Sequence, residues 1–279
     1  MDFSGYAIVT DLDGTFLHHG SIVPKNIEAV KAFVANGGIF TIATGRIKET
    51  IAEAVPQIEC LINAPAVLCN GSYLYDYAQQ KTMGEVFIER KDAEALLAFI
   101  KSECPSVCWR VSTPHGMRAC SMEGYIARDM AAYGNEAFEI EPSLDAWPLD
   151  DWYKLVFRAD WEEKLKIKAL FEQRFAGHRL MAVSSGNHFL EVFYRDCHKG
   201  VGLSALRFAI DLSGRTVIAC GDFENDIEML QAADIGICPA NALPHVKAVA
   251  DHVLCDSGEG LMSAVIDAIA RNDLKKRVE

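Results

Sequence analysis

Short apolar segments alternate with amphipathic ones at both ends of this chain, and that alternation constrains the fold more than any other feature. Three apolar runs in the N-terminal part have the length of strands buried on both faces of a sheet: residues 6–9, 39–43 and 67–69. A helical spacing of apolar residues separates the first two runs, and a Gly-Gly pair ends that predicted helix. The pattern predicts a parallel sheet with helices on both faces.

The same alternation returns near the C-terminus, where a predicted helix around Leu203 and Leu206 precedes further short apolar runs. These predicted strands comprise residues 216–220, 235–238 and 252–254. An amphipathic helix is expected over residues 261–270. Both ends of the chain therefore belong to one α/β architecture.

The middle of the chain follows a different pattern, in which strand-like runs occur in pairs between helices predicted near residues 92–101 and 162–175. Such pairs are typical of antiparallel hairpins in an α+β domain. We therefore predict a discontinuous core formed by residues 1–83 and 196–279, with an inserted α+β domain at residues 84–195.

Bulk composition excludes several classes of protein. The formal net charge of −12 disfavours nucleic acid and anionic membrane surfaces as partners, because both repel an acidic protein. No apolar run reaches the roughly 18 to 20 residues that cross a bilayer, and the N-terminus has no signal-peptide pattern. The nine cysteines are scattered through apolar runs without a CxxC pair, which favours reduced thiols in a cytoplasmic protein.

Two carboxylates, Asp11 and Asp13, directly follow the first predicted strand and precede Gly14. Ligands of open parallel sheets bind beyond the carboxyl ends of the strands, so this pair is placed for chemistry. One carboxylate can act as a nucleophile and the other as a general acid and base. The alternatives are a loop of solvated acids and a calcium loop. The calcium loop fails on spacing, because Phe16 and Ile22 occupy the positions that need glycine and glutamate.

A second acidic motif follows the predicted strand at residues 216–220 and contains Asp222, Asn225 and Asp226. Acids at strand ends of one sheet would lie near Asp11 and form a site for a hard cation such as Mg²⁺. The alternative for Asp226 is a structural role as the cap of the following helix.

Two weaker motifs complete the set. Thr44, Gly45 and Arg46 follow the second predicted strand, where a hydroxyl, a backbone N–H and a helix N-terminus can bind an anion. Thr44 has an equally good structural reading as an ordinary helix N-cap. Lys199 follows the inserted domain and can neutralise a nucleophile or pair with phosphate, although an isolated lysine is usually a surface residue.

In this order along nearly the whole chain, the four motifs resemble those of the haloacid dehalogenase-like hydrolase superfamily, and within it the Cof-type sugar-phosphatase-like group. The resemblance implies a Rossmann-like parallel-sheet α/β core with an inserted α+β cap domain of the C2 type. It also implies a phosphatase, a hydrolase of phosphoric monoesters, that acts on a small phosphorylated metabolite.

The resemblance further implies roles for individual residues. Asp11 would attack phosphorus and form an aspartyl-phosphate, and Asp13 would protonate the leaving group and then activate water. Thr44 and Lys199 would bind phosphate oxygens. Mg²⁺ would be held by the Asp11 carboxylate, the Asp13 carbonyl and Asp222, with Asp226 close by.

Other positions are implied as substrate contacts. Arg46 and Gly45 follow the motif threonine, and Asn225 would support the geometry of Lys199 or phosphate. Asn70 and Gly71 match an Asn-Gly pair beside the substrate in the family, although a plain tight turn explains such a pair equally well.

Three rival functions remain open at this level. A phosphomutase shares the aspartyl-phosphate but returns the phosphoryl group to its substrate. A receiver-like signalling module has a phosphorylated aspartate but no need for Asp13 or for an inserted domain. A phosphate-binding protein without catalysis would keep the same groups. The substrate and the oligomeric state are not specified by the sequence.

Overall fold

The structure is a computed structural model that describes residues 1–55 and 58–276. No helix within these residues is long and apolar enough to cross a membrane. The chain divides into two compact units, which are described separately. The first comprises Met1–Arg46, Val55–Glu85 and His198–Glu279, and the second comprises Ile47–Ala54 and Val86–Cys197.

The strands are numbered in chain order. They are β1 (Tyr6–Thr10), β2 (Leu17–His18), β3 (Ser21–Ile22), β4 (Ile39–Ile42), β5 (Ala66–Leu68), β6 (Tyr73–Asp76), β7 (Lys81–Met83), β8 (Cys108–Thr113), β9 (Gly116–Ala119), β10 (Phe138–Ile140), β11 (Lys154–Arg158), β12 (Leu180–Gly186), β13 (Phe189–Tyr194), β14 (Thr216–Cys220), β15 (Ile235–Cys238) and β16 (His252–Val253).

The α-helices are numbered in the same way. They are α1 (Pro24–Ala35), α2 (Lys48–Ala54), α3 (Arg90–Glu103), α4 (Tyr125–Tyr133), α5 (Trp161–Arg174), α6 (Lys199–Ala209), α7 (Ile227–Ala232), α8 (Pro244–Val249) and α9 (Leu261–Ala270).

The first unit is built on a parallel sheet with the strand order β16-β15-β14-β1-β4. Its central strands are apolar and buried on both faces, as a parallel sheet covered by helices requires. Val9 and Ala219 share a core with Leu203 of α6 and Met229 of α7. Helix α1 packs against α9 and β4. The predicted α/β class with a parallel-sheet core is confirmed.

The third apolar run lies in a different sheet from the one that the alternation predicts. β5 pairs antiparallel with β6, and β6 with β7, in a separate sheet within the described residues. An isolated parallel bridge between Ala43 and Val67 joins β5 to the residue that follows β4. The hairpin of β6 and β7 was not predicted, because its partly exposed strands lack a continuous apolar run.

The second unit is built on a sheet with the order β10-β9-β8-β11-β13-β12, antiparallel except for the parallel pair of β9 and β10. Its core joins Phe99 of α3 and Phe171 of α5 to Phe157 and Leu190 of the sheet. This is the α+β pattern that the paired strand-like runs predict.

Two features of the second unit differ from the sequence prediction. Residues Ile47–Ala54, which contain α2, group with this unit, although the sequence placed them in the segment 1–83. Helix α4 was not predicted. Helix α2 contacts α4, which agrees with its grouping in this unit. Helix α4 itself is short, and a short helix is stabilised by tertiary packing and leaves a weak local signal.

Candidate active site

The two predicted acidic loops begin at the same edge of the parallel sheet. β1 and β14 run in register to their last residues, Thr10 and Cys220. Asp11 follows β1, and its backbone N–H donates to the Cys220 carbonyl at 2.8 Å. Asp222 follows β14 after a single glycine. The sheet therefore brings together two motifs that lie more than 200 residues apart in the sequence.

Three carboxylates form a buried cluster at this edge. Asp11, Asp222 and Asp226 each contribute one oxygen to a group in which these atoms lie within 4.8 Å of one another. Their exposed fractions are 6%, 8% and 0%. Oxygen atoms from several carboxylates suit a hard divalent cation, so the set of donors fits Mg²⁺.

Burial changes the protonation of these acids. Burial raises the pKa of Asp11 well above its usual range, and the neighbouring Lys199 opposes only part of that effect. Burial and the charge of Asp226 raise the pKa of Asp222 to about 7. Burial is the larger cause of both shifts and the neighbouring carboxylates add to it, and a bound cation would favour the charged forms of these acids.

Lys199 lies inside the cluster and is fully buried at the start of α6. Its ammonium donates to Asp11 Oδ1 and to Asp226 Oδ1, each at 2.6 Å. Burial alone would lower the pKa of Lys199, but the attraction of Asp11 and Asp226 outweighs it and the pKa is raised. The side chain is therefore a permanent cation beside Asp11, and not the surface lysine of the alternative reading.

Asp226 holds the backbone of the loop that contains Asp222, and it also contributes a negative charge to the cluster. Its Oδ2 accepts the backbone N–H groups of Asp222 at 2.9 Å and Phe223 at 3.1 Å. With Oδ1 bound to Lys199, both oxygens of Asp226 have protein partners. The Asp226 side chain makes no cap hydrogen bond to the following helix α7, so its structural role is to hold the preceding loop and is not the helix cap of the alternative reading.

Asp13 lies apart from the buried cluster. Its side chain is 52% exposed and forms a two-point ion pair with Arg46, whose Nε and Nη2 lie 2.7 Å from the two carboxylate oxygens. Two carboxylates one residue apart thus have opposite environments, one beside a buried lysine and one at the surface.

Thr44 follows β4 in the chain and is buried. Its backbone N–H donates to Val67 O at 2.9 Å. Its Oγ1 accepts the backbone N–H of Arg46 at 3.2 Å. Helix α2 begins at Lys48, beyond the expected start near Arg46, so Thr44 is not the N-cap of that helix. The hydroxyl shapes the loop that carries Gly45 and Arg46.

Asn70 and Asn225 contact each other through their side chains. Asn225 Nδ2 donates to Asn70 Oδ1 at 3.1 Å, and the exposed fractions are 8% for Asn225 and 0% for Asn70. Gly71 follows Asn70 with a φ of 98°. The structure therefore brings together the two asparagines that the resemblance assigned to separate tasks.

The comparisons with known proteins identify the family of this chain. A family model of haloacid dehalogenase-like hydrolases matches residues 8–265. The chain belongs to this family. The predictions of the superfamily, its Cof-type group and a hydrolase activity are confirmed.

The haloacid dehalogenase-like relatives include named phosphatases. An HMP-PP phosphatase of Yersinia enterocolitica is 28% identical over 244 residues, which cover 85% of this chain and 84% of that protein. The crystal structure of a Streptococcus mutans protein matches with a TM-score of 0.82 and 25% identity over 95% of this chain and 98% of that one. A subclass IIB sugar phosphatase matches in fold, with a TM-score of 0.79 and 22% identity over 95% and 99% of the two chains.

Sequence reasoning missed two residues that support the site of this haloacid dehalogenase-like chain. Thr15 is fully buried and its hydroxyl donates to Asp222 Oδ1 at 2.6 Å. Asn241 donates to the Gly14 carbonyl at 2.8 Å. Thr15 is the last residue of the first motif, Asp11 to Thr15, so its hydroxyl was a usable signal, whereas no local pattern marks Asn241.

Gly14 allows the loop that carries Asp11 and the loop that carries Asp222 to approach each other. It has a φ of 92°, which favours glycine, and a Cβ at this position would collide with the Asp222 carboxylate. Gly14 therefore does more than allow the chain to turn, because it also leaves room for the Asp222 carboxylate.

Proposed function

We propose that this protein is a Mg²⁺-dependent phosphatase that hydrolyses a small phosphorylated metabolite through an aspartyl-phosphate on Asp11. The observation that carries the proposal is the buried Asp11 carboxylate, held 2.6 Å from Lys199 within a cluster of three acids. A carboxylate attacks a phosphate ester only when cations screen the repulsion between them. Lys199 supplies one such cation.

The acidic cluster is the proposed place of the metal. The carboxylates of Asp11 and Asp222 and the carbonyl of Asp13 would hold Mg²⁺, with Asp226 close by. The bound ion would neutralise charge on the nucleophile and on the phosphoryl group. The Thr15 hydroxyl and the hydrogen bond from the Asp222 N–H to Asp226 hold Asp222 in place for this role.

Lys199 and Thr44 are the proposed phosphate ligands. An ammonium has three N–H donors, and in the described residues two of those of Lys199 point to Asp11 and Asp226. The third is available to a phosphate oxygen next to the nucleophile. The Thr44 hydroxyl, on the neighbouring loop of the same sheet edge, would donate to another oxygen.

The chemistry proceeds in two steps. An Asp11 oxygen bonds to phosphorus while the ester P–O bond breaks, and Asp13 gives its proton to the departing oxygen. Water then attacks the same phosphorus, Asp13 takes a proton from it, and the bond between phosphorus and Asp11 breaks to release phosphate. Because Arg46 engages both oxygens of Asp13, at least one must leave Arg46 before proton transfer.

The proposed substrates are sugar phosphates or phosphorylated cofactors. This assignment is supported by the relatives named as an HMP-PP phosphatase and a sugar phosphatase. Gly45, Arg46, Asn70, Gly71 and Asn225 stay predicted contacts to the substrate on the family pattern. The cytoplasmic location likewise stays a prediction from the sequence.

The test is phosphate release from a panel of phosphorylated metabolites and p-nitrophenyl phosphate, with Mg²⁺ or with EDTA. We expect release that requires Mg²⁺ and disappears in Asp11→Asn. The matched control is Asp211→Asn, because Asp211 is exposed and precedes β14, whereas Asp222 follows the other end of that strand. This control is expected to keep the wild-type rate.

Two results would contradict the proposal. Full activity of Asp11→Asn would remove Asp11 as the nucleophile. Conversion of a substrate to an isomer without phosphate release would instead indicate a phosphomutase. Mass spectrometry of wild-type protein quenched in acid during turnover should show an added phosphoryl group, which Asp11→Asn should lack.

A further inference from the structure

The turn Cys69–Gly71 has an unusual backbone. Its three residues have successive φ values of 50°, 59° and 98°. Cys69 and Asn70 are not glycines and are both fully buried. Asparagine adopts the left-handed conformation more readily than cysteine does, but mostly as a single residue. Two such residues in succession, one of them a cysteine, persist only where the surrounding structure imposes them, often at functional sites. The contacts of this turn show what imposes the conformation.

The backbone of the turn binds the loop that carries Thr44. Cys69 N donates to the Arg46 carbonyl at 2.9 Å, and Asn70 N donates to the Thr44 carbonyl at 3.0 Å. Two successive left-handed residues aim both N–H groups at the same loop. The turn therefore fixes the backbone on either side of Gly45.

The side chain of Asn70 reaches a second loop. Its Oδ1 accepts a hydrogen bond from Asn225 Nδ2 at 3.1 Å, and Asn225 lies between Asp222 and Asp226 in the second acidic motif. An asparagine side chain is therefore the link between the loop of Thr44 and the loop of the proposed metal ligands.

Gly71 places the turn against the start of α6. A Cβ on Gly71 would lie 2.5 Å from the carbonyl oxygen of His198, the residue before Lys199. Only glycine permits this approach, and its φ of 98° is also one that other residues rarely adopt. The third contact of the turn is thus with the helix end that carries the buried lysine.

We propose that the turn Cys69–Gly71 is a positioning element that holds Thr44, Asn225 and Lys199 in register, and that Asn70 is a positioning residue that acts through Asn225. The inference rests on the proposed function. The family pattern instead places the Asn-Gly pair beside the substrate, but Asn70 is fully buried and its side chain binds another side chain. A positioning residue affects every ester alike, whereas a substrate contact distinguishes between them.

The test uses Asn70→Gly, which keeps the left-handed backbone accessible and removes the side chain with its amide. Rates are measured with three phosphate monoesters that differ in their organic group, and the affinity for inorganic phosphate is measured by calorimetry. We expect kcat/KM to fall about 10- to 100-fold by the same factor for all three esters, with weaker phosphate binding. A loss that depends on the organic group, or unchanged phosphate affinity, would overturn the proposal.

A double-mutant cycle tests the path through Asn225. If Asn70 acts through its bond to Asn225, the double variant Asn70→Gly with Asn225→Ala should lose no more than the worse single variant. Losses that multiply would show independent roles and overturn the proposal. The matched control is Asn272→Gly, since Asn272 is an exposed asparagine with a φ of 57°, and it should keep wild-type kinetics.

Two further readouts keep the inference separate from folding and from the proposed function. If Asn70→Gly does not fold, Asn225→Ala leaves the turn in place and must still show an equal loss for all esters. If the wild type hydrolyses no ester, the proposed function is rejected, and the phosphate affinities of wild type and Asn70→Gly decide the inference alone. Equal affinities, or no phosphate binding by the wild type, would overturn it.

Discussion

The two compact units both bury charged side chains, but they compensate the charge differently. In the described part of the first unit, the cluster of Asp11, Asp222 and Asp226 contains one buried cation, Lys199. In the second unit, Asp129 of α4 binds two buried arginines. Its carboxylate lies 3.0 Å from Arg110 Nε and 2.7 Å from an Arg158 guanidinium nitrogen.

A second buried pair in that unit joins Lys154 to Glu191, with 2.6 Å between Nζ and Oε2. Every acid in these two groups of the second unit therefore has at least one cation of its own. The cluster beside Asp11 has three acids for one cation. Removing charges from water is costly, so an excess of one sign is retained where function needs it.

The largest expected effect concerns the nucleophile. Asp11→Asn should lower kcat by at least about 10³-fold, because it removes the attacking group. The free energy of unfolding should fall by less than about 1 kcal/mol, since Lys199 keeps Asp226 and the cluster loses excess negative charge. Phosphate-release kinetics and urea denaturation measure the two effects. A strongly destabilised variant would place Asp11 with the structural pairs of the second unit.

For Asp129, in contrast to Asp11, the expected effect of substitution is a loss of stability. Asp129→Ala leaves the buried guanidiniums of Arg110 and Arg158 without their shared acid, which should cost about 3–5 kcal/mol of stability. Calorimetric unfolding measures this loss, with Asp145→Ala at an exposed acid of the same unit as the control. An unchanged unfolding transition in Asp129→Ala would show that the pairs are not structural.

A smaller effect on stability is expected from the cation that the cluster of Asp11, Asp222 and Asp226 would bind. Mg²⁺ at about 100 times its Kd should stabilise the wild type by about 2.7 kcal/mol, and EDTA should remove that gain. Asp222→Asn should lose most of the stabilisation, because it replaces one of the clustered carboxylates. Thermal unfolding with and without Mg²⁺ tests this. Equal stabilisation of wild type and variant would locate the ion elsewhere.

The smallest effect on stability is expected at the exposed ion pair. Arg46→Gln should change the free energy of unfolding by less than about 1 kcal/mol, because Asp13 is 52% exposed and such pairs contribute little in water. Urea denaturation measures the change. A loss as large as that expected for Asp129→Ala would mean that this pair belongs with the buried structural ones.

Much of the fold followed from local patterns. Strands β1, β14 and β15 are continuous apolar runs, and an acidic loop follows β1 and β14, so both the sheet and its reactive edge were predictable. Helix α4 and the β6–β7 hairpin were not, because their sequences lack strong periodicity and depend on packing.

By itself, then, the sequence determined the parallel-sheet core, the family, and the four motifs that carry Asp11, Thr44, Lys199 and Asp222. These are properties of residue type and spacing within short segments. The tertiary structure alone decided which side chains meet: Lys199 with two acids, Thr15 with Asp222, and Asn70 with Asn225. Such contacts join residues far apart in the chain, and their partners depend on strand register and loop geometry that no local pattern encodes.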